Sequence, residues 1–328
     1  MAEKIIKRIA VFTSGGDAPG MNAAIRAVVR TATYHDLHVY GIERGYQGMI
    51  DGKIRRLETQ DVGNIIHRGG TMLKTARSME FMTPEGRAKA HETLLANDID
   101  ACVAIGGNGT FTGAMIFSKE YDMPFIGVTG TIDNDLYGTD LTIGFDTAIN
   151  TAMEAADKIR DTADSHDRLF FIEVMGRHAG FIALHSAIGS GAGGVLIPEN
   201  NQSIDDLISR LKKSAKRGKQ FGLIIVAEGN KYGGATEVAR QVKEKISQYD
   251  TKIAIIGHLQ RGGSPTCIDR VLASRLGYEA VEALLKGEQG IMVGILNNQI
   301  QYTSFEDAIT KEKFVNRDLM KMAEILAL

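Results

Sequence analysis

The chain has 328 residues, 44% of them hydrophobic and 24% charged, a globular composition that excludes a disordered chain. Its length exceeds the usual reach of one hydrophobic core, so two domains are expected. Lys+Arg 38 against Asp+Glu 40 leaves a net charge of -2, and no global field draws the chain to nucleic acid or to a membrane.

No apolar run approaches the ~20 residues of a spanning helix. The opening MAEKIIKRIAVFTSGG runs straight into a strand, without the apolar stretch and cleavage site of a secretory leader. A reduced, cytoplasmic protein is expected, with Cys102 and Cys267 as small buried thiols. The 37 Gly and 5 Pro suit many tight strand–helix turns better than Pro-rich linkers.

In chain order, short β-branched runs alternate with helical stretches. Strands are predicted at Arg8–Thr13, His38–Ile42, Ala101–Ile105, Phe125–Val128, Leu169–Val174, Gly194–Ile197, Leu223–Ala227 and Ile253–Ile256. Helices are predicted at Gly20–Tyr34, Thr110–Lys119, Ala148–Ala163, Gly180–Ile188, Ile204–Lys216, Thr236–Tyr249 and Ala273–Lys286. This alternation implies an α/β protein with mainly parallel sheets covered by helices. Ligands of such sheets sit outside the carboxyl ends of the strands, so the loops after each strand carry the functional reading. No linker or repeat marks a domain boundary.

The first strand ends in Thr13-Ser14-Gly15-Gly16-Asp17-Ala18-Pro19-Gly20, and Ile105-Gly106-Gly107-Asn108-Gly109-Thr110 repeats the design. Glycines between a strand and a helix let backbone N–H groups turn toward an anion at the helix N-terminus. Neither is a P-loop, because GxxxxGK[ST] occurs nowhere in the chain. Gly189, Gly191 and Gly194 spell GxGxxG but follow a predicted helix and precede a strand, the reverse of a dinucleotide fingerprint.

Thr129-Gly130-Thr131-Ile132-Asp133-Asn134-Asp135 places two carboxylates two residues apart in a third Gly-containing loop. One can accept a proton from an attacking hydroxyl, and the other can help hold Mg²⁺. A plain Asx turn explains either Asp alone, but not three such loops in one chain. Met175-Gly176-Arg177 and Gly257-His258-Leu259-Gln260-Arg261-Gly262-Gly263 bring Arg and His to strand ends, where guanidinium forks suit phosphate. His166, His178 and His185 lack metal-site spacing, and Lys212–Lys219 reads as a solvated helix end.

Taken in order, TSGGDAPGMNAAIR, RGGT, GG-x-G, GTIDND, RDTA-x-SH-x-R, VMGR, AEG and GH-x-QRGGSP resemble the bacterial ATP-dependent phosphofructokinase family, from Arg8 to about Gly294. The resemblance implies two Rossmann-like three-layer domains with the active site in the cleft between them. Residues 1–143 with 258–308 would bind ATP, and 144–257 with 309–328 would bind fructose 6-phosphate. Gly16, Tyr46, Arg77, Ser78, Gly107, Asn108, Gly109 and Thr110 would meet ATP. Asp133 would take the proton of the sugar's 1-hydroxyl, with Thr131, Asp135, Arg177 and Gly16 completing the catalytic set. Thr131, Ile132, Met175, Gly176, Arg177, Glu228, His258 and Arg261 would hold the sugar phosphate, and Arg168 and Lys252 would reach it from a neighbouring subunit of a homotetramer. Mg²⁺ would lie by Asn108 and Asp135.

The family's pyrophosphate-using branch carries Asp and Lys where this chain has Gly109 and Gly130, so ATP is the expected donor. Four departures stand out. Asn108 replaces an Asp that engages Mg²⁺, Ser78 an aromatic, Met82 an Arg and Lys252 an Arg. At the allosteric effector site of the family, Arg26, Arg30, Arg160, Arg217 and Lys219 match basic positions. Thr59 and Gly193 stand where an Arg and a metal-binding Glu are usual, so control by ADP is expected to be weak or absent, while the basic positions would still suit some anion. Asn108 also keeps open two alternatives, a catalytically weakened regulatory paralogue and a kinase for another sugar phosphate.

Overall fold

A computed structural model describes residues 6–166, 168–200, 203–217, 222–246 and 249–327. The first half of the chain runs β1 (Arg8–Thr13), α1 (Met21–Tyr34), β2 (His38–Ile42), α2 (Gly45–Ile50), β3 (Ile54–Leu57), α3 (Pro84–Ala96), β4 (Ala101–Gly106), α4 (Asn108–Tyr121), β5 (Phe125–Thr129) and α5 (Phe145–Ser165). The second half runs β6 (Arg168–Val174), α6 (Phe181–Gly189), β7 (Gly194–Leu196), α7 (Ile204–Lys216), β8 (Gly222–Ala227), α8 (Ala235–Lys245), β9 (Asp250–Ile255), α9 (Cys267–Leu285), β10 (Ile291–Leu296), β11 (Gln299–Ser304), α10 (Phe305–Thr310) and α11 (Arg317–Leu326).

The chain divides into two compact units, and it crosses between them several times. Unit 1 runs to Thr131 and includes Leu136–Asp146 and Arg261–Lys313; unit 2 comprises Ile132–Asp135, Thr147–Gln260 and the segment from Phe314. Unit 1 holds a seven-stranded sheet in the order β11-β10-β5-β4-β1-β2-β3, with the five inner strands parallel and β3 and β11 antiparallel at the edges. Side chains alternate across it, so Ala10, Phe12, Cys102 and Ala104 join a core with Leu94 of α3, Phe111 and Phe117 of α4 and Phe305 of α10. Helices α1 and α9 pack on each other and on the other face. Full burial of side chains such as Phe12, Phe117 and Phe125 stabilises the fold by about 1.5–3 kcal/mol each.

Unit 2 holds a parallel four-stranded sheet, β7-β8-β6-β9. Leu169, Phe171, Ile224 and Val226 pack under α7 and α8 through Leu207, Leu211, Val238 and Val242. The edge strand β9 is half exposed, with Ile253 and Ile255 facing out.

Three strands escape the sequence pattern. In β3 the run is four residues with Arg55 and Arg56 inside it, and β11 alternates polar residues; both lie at sheet edges, where burial does not enforce an apolar code. The apolar strand β10 also goes unread. The helix expected as far as Tyr249 ends at Lys245, where Ile246 turns extended, and the polar residues Asp250 and Thr251 already belong to β9. Of the two thiols expected to be buried, Cys102 is buried, and burial pushes its pKa well up. Cys267 is exposed because it opens α9 on the solvent side.

Candidate active site

Unit 1 builds its ligand-facing loops from two strand ends. The amide of Ser14 donates to Ile105 O at 3.0 Å, so the loops after β1 and β4 run side by side. Gly106 makes the approach possible: a Cβ there would lie 2.6 Å from Ser14 O and would overlap Thr110 Oγ1. Thr110 is buried, and its Oγ1 has no hydrogen-bond partner among the described residues. The N-cap of α4 is Gly107, without a side-chain cap; the amides of Thr110 and Phe111 donate to Gly107 O at 2.9 and 3.1 Å, so only the amides ahead of Thr110 can serve an anion. Around Gly109 the space is open, with nothing within 4 Å of a Cβ.

Thr131 stands 3.5 Å from the Cβ position of Gly107, and Thr142 Oγ1 holds its carbonyl at 2.6 Å. Arg261 leans on the first loop: a Cβ on Gly16 would lie 2.5 Å from its Nη1, which donates to Asp17 O at 3.2 Å. Gly16, Gly107, Thr110, Thr131 and Arg261 therefore gather within one unit. The RGGT motif acts as a brace, because Thr71 Oγ1 meets Thr13 Oγ1 at 2.9 Å and Asn22 Nδ2 donates to Arg68 O at 3.1 Å.

The other nucleotide candidates divide. Tyr46 is buried in the core, stacked on Phe81 at 4.0 Å, and its hydroxyl donates to Thr110 O at 2.6 Å. Burial, above all, pushes its phenol pKa well up. Arg77 is exposed, and Ser78 Oγ donates to Gln47 Oε1 at 2.8 Å. Asn108 is half-buried at the first position of α4.

Unit 2 carries the carboxylate candidates. Asp133 is 3% exposed, and its Oδ2 meets Arg177 Nε at 3.4 Å, while the Arg177 side chain is 62% exposed. Arg177 has a left-handed φ of 52°, rare for a non-glycine residue, after Gly176 at 141°. The turn is fastened from its amide side. Glu228 Oε1 accepts from Gly176 N at 3.2 Å and Arg177 N at 2.8 Å, and Gln260 Oε1 accepts from Met175 N at 2.8 Å. Met175 and Ile132 are buried, so their side chains serve packing, whereas His258 is exposed and Asp135 half-buried.

Arg168 and Lys252 sit at the other end of this sheet, at the starts of β6 and β9. Both grip Asp250, Arg168 Nε at 3.0 Å and Lys252 Nζ at 3.0 Å. Chiefly through its bond to Lys252, and also through Arg168, Asp250 is held below the usual carboxylate range. Among the effector candidates, Arg26 and Arg30 lie one turn apart on α1, and burial followed by the Arg30 charge lowers the Arg26 pKa. Arg160 donates to Ser190 O, Arg217 is exposed, and Lys219 lies outside the described residues.

Sequence reasoning did not single out Gln260, Thr142 or Asp17. Gln260 stood between two named residues of one motif, yet nothing in the letters marks a buried amide.

The chain matches the family profile described as Phosphofructokinase over residues 8–284. The chain belongs to the phosphofructokinase family. It is 56% identical to the ATP-dependent 6-phosphofructokinase of Cytophaga hutchinsonii over 98% of this chain and 98% of that one. Identity to the ATP-dependent 6-phosphofructokinase 1 of Thermus thermophilus is 55%, over 98% of this chain and all of the relative (100%). A phosphofructokinase structure from Saccharomyces cerevisiae superposes with a TM-score of 0.87 at 38% identity, covering 92% of this chain and 45% of the longer yeast chain. A pyrophosphate-dependent phosphofructokinase from Marinobacter aquaeolei gives 0.84 at 25% identity, covering 98% and 92%. The phosphofructokinase fold is thus shared across donor types, and the higher identity lies with the ATP-dependent relatives. No described helix is long and apolar enough to cross a membrane.

Proposed function

We propose that this phosphofructokinase moves the γ-phosphoryl group of ATP to the 1-hydroxyl of fructose 6-phosphate, giving fructose 1,6-bisphosphate and ADP in glycolysis. The observation that carries the chemistry is the buried Asp133 carboxylate paired with Arg177. A general base needs a carboxylate fixed in place, and phosphoryl transfer needs cationic charge beside it. Both come from one ion pair.

The nucleotide phosphates belong on Gly16 and the turn Gly107–Thr110, where the amides that open α4 offer donors. Arg77 and Ser78 serve the nucleoside side. Tyr46 acts at one remove, through the Thr110 carbonyl that it holds. Thr131 and Asp133 address the reacting hydroxyl, while Arg177, Glu228, His258 and Arg261 serve the sugar phosphate, with Gly176 shaping the turn that presents Arg177. Asp133 accepts the hydroxyl proton as the oxygen attacks phosphorus.

Mg²⁺ would arrive as a passenger on ATP. Asp135 offers a carboxylate and Asn108 an amide oxygen, both oxygen ligands of the kind a hard cation takes. Among the described residues no group of three or more His, Cys, Asp or Glu forms a dedicated cage. Bound Mg²⁺ would neutralise charge on the transferring phosphates.

Arg168 and Lys252 serve a second copy of the chain. Arg168 opens a seven-residue strand and Arg177 lies beyond its far end, roughly 20 Å away at ~3.3 Å per residue. One sugar phosphate cannot touch both from the same chain. The apolar edge strand β9, with Ile253 and Ile255 exposed, adds a surface that a copy would cover. A homotetramer working in the cytoplasm, where both substrates occur, is the assembly this reading favours.

Steady-state assays with MgATP, MgGTP or Mg-pyrophosphate against a panel of sugar phosphates test the proposal. Turnover highest with MgATP and fructose 6-phosphate is expected. No turnover with any donor would instead support a regulatory paralogue.

A further inference from the structure

Gln260 lies in the 3-10 turn Gly257–Arg261 with its side chain fully buried, while His258 and Leu259 before it face outward. Its Oε1 accepts from Met175 N at 2.8 Å, and its Nε2 donates to Ala148 O on α5 at 3.5 Å. A side chain at 0% exposure offers a ligand nothing to touch. We propose that Gln260 is a positioning residue for sugar-phosphate binding: it holds the Met175 amide, and so fixes the Met175–Arg177 turn that aims Arg177 at Asp133. This rests on the reading that the turn serves fructose 6-phosphate.

The backbone supplies the reason. A non-glycine residue in the left-handed region persists only where its surroundings over-determine it. Here three successive amides are each tied to a side-chain oxygen, two to Glu228 and the first to Gln260. The Gly176 carbonyl closes the turn by accepting from Ala179 N at 2.9 Å. If the Gln260 acceptor is lost, Met175 N becomes a buried donor without a partner, and the turn gains a reason to rearrange. Arg177 would then drift from Asp133, and His258 would lose the inward anchor of its own turn. Gln260 therefore acts on the acceptor substrate through Arg177 and His258 while staying out of its reach.

Two variants of the full-length protein separate this role from a general packing role. Gln260→Met keeps the length and removes the acceptor; KM for fructose 6-phosphate should rise about tenfold, the scale of one unsatisfied buried donor. Its KM for ATP should stay close to the parent's, and its melting temperature should drop by only a few degrees, the cost of that one unsatisfied donor. Gln260→Glu keeps an acceptor for Met175 N but loses the donor to Ala148 O until the buried carboxyl protonates, which burial favours. Its KM for fructose 6-phosphate, divided by the parent's at the same pH, should fall toward one between pH 8 and pH 6, while the same ratio for Gln260→Met stays flat. Equal rises in both KM values for Gln260→Met, or parental KM values for both variants, overturn the proposal. Arg177→Ala is the control. If it leaves fructose 6-phosphate binding intact, the sugar-phosphate reading of the turn fails and takes this inference with it; if it weakens binding while both Gln260 variants behave as the parent, only the inference is lost.

Discussion

The loops after β1 and β4 and the turn after β6 present anion-binding groups in opposite ways. In unit 1 glycines bring backbone close to backbone, and α4 opens on Gly107 without a side-chain cap, beside open space at Gly109. In unit 2 the three amides of Met175, Gly176 and Arg177 are already taken by Gln260 and Glu228, which leaves recognition to side chains. Backbone donors are fixed and suit phosphates presented the same way in every nucleotide. An arginine aimed by its own backbone suits a particular sugar phosphate and also serves the base beside it. The ion pair of Asp133 with Arg177 belongs to the second design, so chemistry and acceptor choice are tied to one turn.

The largest effect should come from the base. Asp133→Asn keeps the shape but cannot take the proton, and kcat should fall by ~10²–10⁴-fold with little change in either KM. Steady-state kinetics decide it, and a variant retaining most of its kcat removes the assignment. Gly106→Ala strikes the first design. Its methyl would overlap Thr110 Oγ1 and press on Ser14 O, so KM for ATP should rise by about tenfold or more, from overpacking of ~1–3 kcal/mol, while fructose 6-phosphate binding alone holds. Equal damage to both ligands would blur the contrast between the two loops.

Asn108→Asp should act more mildly. It supplies the charge that a hard cation favours, so the Mg²⁺ concentration giving half-maximal rate should fall severalfold, less than a whole charge-assisted contact because Asn already offers an oxygen ligand. A Mg²⁺ titration showing no change in midpoint or kcat would place residue 108 away from the metal. The smallest effect should come from Asp250→Asn, which frees Arg168 and Lys252 for a partner's phosphate. These pairs are exposed and screened by solvent, so KM for fructose 6-phosphate should fall only modestly, by roughly 1.5- to 5-fold at neutral pH. The sign follows from the lowered Asp250 pKa: this pairing is intact above the ordinary Asp range and is lost as pH falls through the still lower folded value. An unchanged KM would mean that the carboxylate does not compete.

Much of this was legible because buried parallel strands write plain code. RIAVFT before a glycine turn reads as β1, and TGTIDND after β5 reads as a site. Edge strands β3 and β11 were not legible, since solvent on one side relaxes the apolar pattern. Arg177 could be named from its motif, but its left-handed backbone and the side chains that impose it could not. Met175, Glu228 and Gln260 are far apart in the chain, and only folding puts their polar atoms within hydrogen-bond reach. Arg261 was read as a sugar-phosphate ligand, and the structure adds a tie from its guanidinium to Asp17 O in the first loop.

The central claim, that the turn after β6 recognises the sugar phosphate through a side chain, is tested most directly by equilibrium binding of each ligand alone to Arg177→Ala. Removing one charged hydrogen-bond donor, worth ~1.5–3 kcal/mol, should weaken fructose 6-phosphate binding by roughly ten- to a hundred-fold and leave ATP binding within about twofold of the parent. Parental affinity for fructose 6-phosphate, or an equal loss for both ligands, would contradict the account.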